Sequence, residues 1–444
     1  MKPGLKRLIF LVAAAQMALA LVILVLPATL EALPGNVRYR LPAALQQIGQ
    51  TPLPPALPTP NADTISITTG DVAIPGLNPT AAPTIAATPT LPPPPPAATD
   101  AATATPTPTP MPSPTPTPIP LPAAFRVVGV KNIPQSFNNC GPANLSVVLE
   151  FWGDSTTQTQ ASAYLKPNPN DRNVSPWQIS DYVNEFTSLK STVHSGGTLT
   201  LLKQLIAAGM PPVIERGYIL EDNTWAGHYL TLYAYDDTLQ EFIGMDTNLS
   251  PWSDFGRSFA YSDVADSWKA FNYTFYVVYS AEKEPIVRQI IGETLLDDQR
   301  MWERARDMAQ ADIEANVADA YAWFNLGTSW TELGSLTGTG VSYQNGAQAF
   351  DEARRLGLPP RMLWYQFRPY LAYYKLSRFD EVLALADATL STSGGQYVEE
   401  TYYWKGNALA STGDARGAIA AYEAALNVNG NFYYARWALD SLNG

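Results

Sequence analysis

The stretch Ile133-Pro-Gln-Ser-Phe-Asn-Asn-Cys-Gly-Pro-Ala-Asn-Leu holds the chain's single cysteine, Cys140, at a point where a helix should begin. Pro142 falls in the first turn, where its fixed φ suits a helix start, and Gly141 gives close access to the sulfur. A thiol is useful in catalysis when ionised. The positive end of a helix and a neighbouring cationic imidazole are two ways to lower its pKa below ~8.5. Gln135 lies upstream and could donate its side-chain amide to the oxygen that becomes negative when a thiolate attacks a carbonyl, with the Cys140 backbone N–H as a second donor.

A general base must come from elsewhere, and the sequence has only His194 and His228. His228 opens the run His-Tyr-Leu-Thr-Leu-Tyr-Ala-Tyr, which reads as a strand. If that strand pairs with residues 241–246 across a tight turn centred on Asp237, His228 lies directly opposite Asp246. Opposed side chains have Cβ atoms about 4.5–5.5 Å apart, near enough for the carboxylate to orient the imidazole. A register shifted by one presents Thr247 instead. Bland readings exist for each residue: Cys140 as a small buried hydrophobe, His228 as a structural residue, Asp246 as a turn cap. His194, beside Ser195-Gly196-Gly197, reads as a solvated loop residue. Trp177 and Trp252 fit either a substrate groove or a core.

The elements that must position these residues lie in an α+β region, 124–283. Leu145, Val148, Leu149 and Trp152 recur at helical spacing before a stop at Gly153. A second helix is expected over 199–208. Strands are expected at 212–216, 228–235, 241–246 and 273–279, with Asp236-Asp237-Thr238 as a turn.

Upstream of this region the composition changes. Residues 8–26 are apolar except for Gln16 and follow Lys2, Lys6 and Arg7, so a helix there could span a ~30 Å hydrocarbon core with its N-terminus in the cytoplasm. The expectation is a signal anchor in region 1–32, making a single-pass cell-membrane protein with extracytoplasmic C-terminal domains. The alternative is secretion after signal cleavage. Region 33–123 is a Pro/Thr-rich linker, expected to be disordered. Residues 51–122 hold 23 of the 39 Pro and only three charged residues, which makes a stiff stalk of up to ~200 Å rather than a core. Residues 123–444 carry 23 Lys/Arg against 36 Asp/Glu, a net charge of −13 that disfavours a nucleic-acid partner. One Cys and two His exclude an intramolecular disulfide and a common structural zinc site, and no metal or organic cofactor is required.

Region 284–444 is Ala-rich, aromatic-rich and periodic. Phe350, Ala386 and Tyr422 align at a spacing of 36 residues, as do Gly346, Val382 and Ala418, and Ala353, Thr389 and Ala425. Partner helices are marked by Trp323, Leu326, Gly327 and Trp330, and by Tyr402, Gly406, Leu409 and Gly413-Asp414. These residues resemble the tetratricopeptide repeat, in which large and small residues interlock paired helices. The middle unit departs from the pattern at Pro369 and Tyr370, and the first carries about seven extra residues around 336–342. A helix at 301–315 suggests a further imperfect repeat. A plain helical bundle is the alternative.

The order Gln135, Cys140, His228, Asp246 resembles papain-like cysteine peptidases, more narrowly the bacteriocin-leader-processing family thirty-nine and its stand-alone relatives. Cys140-Gly-Pro-Ala, Gly227-His228 and Asp246 carry the match, and Thr247 stands where family members often have Pro. The resemblance implies a papain-like domain with a Cys-bearing N-terminal helix and an antiparallel sheet, followed by an all-α tetratricopeptide-repeat solenoid. It implies Cys140 as nucleophile, His228 as base, Asp246 as orienter and Gln135 as oxyanion donor. No transporter segments or ATP-binding loop follow, so secretion-coupled processing is not implied. The expected function is hydrolysis of a peptide or protein substrate, with a protein partner on the repeats. The alternatives are a non-catalytic surface adaptor and a thiol acyltransferase.

Overall fold

Helix α1 (Cys140–Phe151) is buried around its whole circumference from Gly141 to Leu149, which makes it a central element rather than a surface one. The computed structural model that places it describes residues 57–59, 121–219, 224–249 and 255–443. The apolar run 8–26, Trp252 and most of the Pro/Thr-rich linker lie outside the described residues. Among the described residues no helix is long and apolar enough to cross a membrane.

Around α1 the chain forms β1 (Ala124–Arg126), α2 (Gln158–Leu165), α3 (Pro176–Phe186), β2 (Lys190–His194), α4 (Leu199–Ala207), β3 (Pro212–Ile219), β4 (Trp225–Asp236), β5 (Glu241–Met245), β6 (Arg257–Ala260), α5 (Tyr261–Lys269) and β7 (Phe275–Tyr279). The described strands form one sheet in the order β2-β7-β3-β4-β5-β6, with every pairing antiparallel; β1 pairs with the end of β4. Its central strands alternate between two cores. Val213, Tyr229, Tyr276 and Val278 face Leu145, Val148 and Leu149 of α1, together with α2 and α3. Ile214, Leu230, Phe275 and Val277 face the opposite side, under α4 and α5. Helices on both faces explain why these strands read as nearly continuous apolar runs.

Three short strands without a strong apolar period, β1, β2 and β6, are absent from the sequence expectation, as are α5, whose buried Tyr261, Val264 and Trp268 do recur at helical spacing, and α2 and α3. The last two had a legible start. Thr157 with Gln160 and Ser175 with Gln178 each close a reciprocal capping box, and Pro176 occupies the first turn of α3.

The expected hairpin register does not hold. Asp236 pairs with Glu241, so a four-residue loop replaces the tight turn, with Gln240 at φ 54°. A bulge between Leu232 and Ala234 then shifts the pairing again, leaving Thr231 opposite Met245. His228 instead has Arg216 of β3 as its Cα partner, and Asp246 lies just beyond the end of β5.

The helical half comprises α6 (Glu284–Leu296), α7 (Asp298–Ala315), α8 (Ala320–Thr337), α9 (Gly340–Leu356), α10 (Arg368–Lys375), α11 (Phe379–Ser391), α12 (Glu399–Ser411), α13 (Ala415–Val428) and α14 (Tyr433–Asn443). The 36-residue alignment falls on α9, α11 and α13, and Phe350, Ala386 and Tyr422 are all buried. A Cβ on Gly327 would come within 2.6 Å of the Phe350 ring, and one on Gly406 within 2.5 Å of the Tyr422 ring. The same small-against-large contact therefore recurs in the first and last pairs. The extra residues around 336–342 lengthen α8 and α9, which turn at Gly338 with φ 71°.

A boundary at 283 divides the chain but not the packing. Val287, Ile291 and Leu295 of α6 and Met301, Trp302 and Ala305 of α7 share one core with the sheet. Polar ties continue the join: Lys269 Nζ meets Asp319 Oδ2 at 2.6 Å, and Gln366 Nε2 donates to the Ala270 carbonyl at 2.8 Å. The linker also departs from expectation where it is described. Leu57 is buried in the helical core, its N–H donates to Leu358 O at 3.0 Å, and Pro58 O accepts from Arg354 Nε at 2.7 Å. A single leucine between Ala56 and Pro58 can dock because its side chain enters an existing apolar cluster while neighbouring backbone groups find partners.

Candidate active site

Cys140 is the first residue of α1, so its backbone N–H has no intrahelical acceptor, and the residue is half-buried. Lys166 Nζ donates to the Asn138 carbonyl at 2.6 Å, holding the turn before the helix, where Asn138 has φ 55°. Within α1, Asn144 is fully buried. Its Nδ2 lies 3.0 Å from Cys140 O, 3.2 Å from Tyr229 O and 3.1 Å from Thr247 Oγ1, while Thr231 Oγ1 donates to its Oδ1 at 2.8 Å. One asparagine thus joins the cysteine helix, the histidine strand and the loop after β5.

His228, buried on β4, shares a side-chain hydrogen bond with Cys140. Its Nε2 lies 3.0 Å from Asp246 Oδ1, which leaves Nδ1 to face the sulfur. Asp246 Oδ1 also accepts the backbone N–H groups of Asn248 and Leu249, each at 3.0 Å, and Arg216 Nη2 donates to its Oδ2 at 3.1 Å. The His228–Asp246 contact expected from the sequence is present, but a loop carboxylate reaching past the strand end makes it, not a directly opposed pair.

These contacts set the charges. Burial pushes the Cys140 thiol up, but the His228 hydrogen bond and charge, the Tyr229 backbone and Lys166 outweigh it, so the thiol lies below its ordinary value. Burial alone would depress His228; the Asp246 charge and hydrogen bond, with the contact to Cys140, raise it to about 9. Burial would likewise raise Asp246, yet His228 and Arg216 hold it well below the usual carboxylate range. The Cys140 and His228 shifts are both in the direction of a thiolate beside an imidazolium.

Gln135 lies across the Asp246–Thr247 loop. Its backbone N–H donates to Thr247 O at 2.8 Å, and Thr247 Oγ1 donates to its Oε1 at 2.9 Å. Fixing Oε1 leaves the amide Nε2 as the group available for donation. Trp177 is partly exposed and stacks on Trp302, with ring centroids 6.5 Å apart.

His194 is not a solvated loop residue. It ends β2, is 4% exposed, and its Nε2 lies 2.8 Å from Thr192 Oγ1. Burial lowers its pKa from 6.5 to about 4. Because the unfolded chain binds this proton first, the stability contribution is complete above pH 6.5 and is lost as pH falls toward 4, by about 3 kcal/mol in all. Urea unfolding over that range should show a shallower loss of stability in His194→Gln than in the wild type.

Sequence reasoning missed Arg216, Asn144 and Lys166, and considered Thr247 only as an alternative partner of His228. Two had a signal: Arg216 is a charged residue within an apolar strand, and Asn144 a polar one on an apolar helix. Tyr365, from the helical half, also lines the small space beside Cys140 with His228 and Lys166.

Residues 127–276 match the model of the Peptidase_C39 like family. This stretch contains Gln135, Cys140, His228 and Asp246, and its similarity is to a cysteine-peptidase-type domain. A crystal structure from Bacillus anthracis described as a candidate C39-like peptidase aligns at 12% identity and a TM-score of 0.30, covering 35% of this chain and 98% of that chain. No curated protein matches the chain.

Proposed function

We propose that this chain is a membrane-anchored, extracytoplasmic cysteine peptidase whose helical repeats hold a protein partner or substrate near the catalytic unit. The Cys140 sulfur attacks the peptide carbonyl carbon, forming a C–S bond, while Gln135 Nε2 and the Cys140 N–H receive the oxyanion. His228 gives its proton to the departing amine as the C–N bond breaks. It then takes a proton from the water that cleaves the thioester and releases the carboxylic acid. Asp246 holds the imidazole in place throughout.

The hydrogen-bonded series from Cys140 through His228 to Asp246 carries this reading, because it combines a nucleophile, a proton shuttle and an orienter. The Gly327–Phe350 and Gly406–Tyr422 contacts support the assignment of tetratricopeptide-type pairs. The apolar run at 8–26 is the basis for anchoring and export. One observation favours a non-catalytic adaptor: the space beside the sulfur is only about 10 Å³.

The test is cleavage of a peptide library by the full-length protein, read by mass spectrometry beside Cys140→Ala. Products are expected with the wild type alone, and an amine added as acceptor separates transfer from hydrolysis. A reactive Cys140 with no products across the library would support the adaptor.

A further inference from the structure

The space at Cys140 does not end there. Glu215 and Tyr365 line both it and a second cavity of about 480 Å³ between the peptidase-like region and the helical half. The larger cavity is walled by aromatic faces, including Trp177, Tyr403 and Trp404. Its acidic side chains are Asp181, Glu215, Glu332 and Glu400, and its only basic one is Arg368, which is bound to Glu332. Asp181, Glu215 and Glu400 form no ion pair among the described residues.

Glu215 is the unusual member. It lies on β3, next in sequence to Arg216 and with Tyr229 as its Cα partner, so its side chain points to the Cys140 face of the sheet while Arg216 serves Asp246 on the other. It is 6% exposed, and its carboxyl, which has no hydrogen-bond or ion-pair partner among the described residues, borders the two cavities rather than being sealed in the core. A carboxyl left this way costs stability. Such a cost is retained most readily where a ligand supplies the missing partner. Burial, then the negative charge on Cys140, raise its pKa well above the ordinary value, and a nearby cation is what would restore the ionised form.

We infer that the cavity between the two halves is the substrate channel to Cys140, and that Glu215 recognises a basic side chain on the peptide being cleaved. This deepens the peptidase reading and rests on it for the position of the scissile bond. The aromatic walls suit the stem and charge of lysine or arginine, and the one basic side chain of the lining, Arg368, is already paired with Glu332.

The test is binding, so that it does not depend on turnover. Full-length Cys140→Ala is titrated with short fluorescein-labelled peptides of Ala, Ser and Gly that carry one Lys, moved along the sequence, each beside its Gln counterpart. At one position Lys should bind about tenfold or more tightly than Gln, and adding Glu215→Gln should bring that ratio to about one. Glu215→Gln should melt at or above the parent temperature, because no native partner is lost. No Lys preference at any position, a preference that survives Glu215→Gln, or a clear fall in melting temperature would each overturn the inference. Glu215-dependent binding without cleavage by the wild type would sink the peptidase reading and leave the recognition site standing.

Discussion

His228→Ala is expected to lower kcat/KM by about 10³-fold and to raise the pKa of the Cys140 thiol. The direction follows from the opposing causes at the sulfur. Burial is the largest single influence and raises the pKa, and it survives the substitution along with the smaller lowering effects of the Tyr229 backbone and Lys166; the hydrogen bond and positive charge of His228, the two largest lowering influences, do not. In the wild type the thiolate–imidazolium pair exists between the lowered thiol pKa and that of His228, about 9. Activity should rise through the first and fall through the second. Iodoacetamide alkylation followed across pH, with Cys140→Ala as the blank, measures the thiol directly. An unchanged titration in His228→Ala would show that the two side chains do not communicate.

Asp246→Asn is expected to damage both chemistry and fold. The side chains of Asp246 and Arg216 are 1% and 9% exposed, and the substitution leaves the guanidinium without its anionic partner. Removing one member of a buried pair costs about 3–5 kcal/mol. The same change removes the charge that raises His228, so kcat/KM should fall by about 10²- to 10⁴-fold. Adding Arg216→Met separates the two effects: the double variant should regain much of the lost stability but none of the activity. Denaturant unfolding and peptide kinetics on the three variants give both numbers. Single-variant stability and kcat/KM at wild-type levels would remove Asp246 from the proposed mechanism.

The legible part of the site is the part encoded locally. Pro142 and the apolar spacing after it mark α1, with Cys140 at its first position. The run from His228 falls within β4, which extends further, from Trp225 to Asp236. Glycine signals were legible too, since Gly327 and Gly406 lie where a facing ring leaves no room for a Cβ. His194 was misread because Ser-Gly-Gly follows it, whereas pairing with Phe275 places it in a strand.

What the sequence supplied by itself is the set of groups that the fold gathers, the thiol, imidazole, carboxamide and carboxylate, with the elements of the first two, and the helix pairs at 36-residue spacing. These follow from preferences that act over a few neighbouring residues. Only the tertiary structure decided that a bulge and a four-residue loop displace the hairpin register, that Arg216 secures Asp246, and that Tyr365 lines the space beside the cysteine. It also decided that Leu57 docks on the helices and that α6 and α7 complete the first core. A one-residue shift in a strand alternates every side chain between two faces, and its energy depends on the whole packed sheet, so no local pattern could specify those contacts.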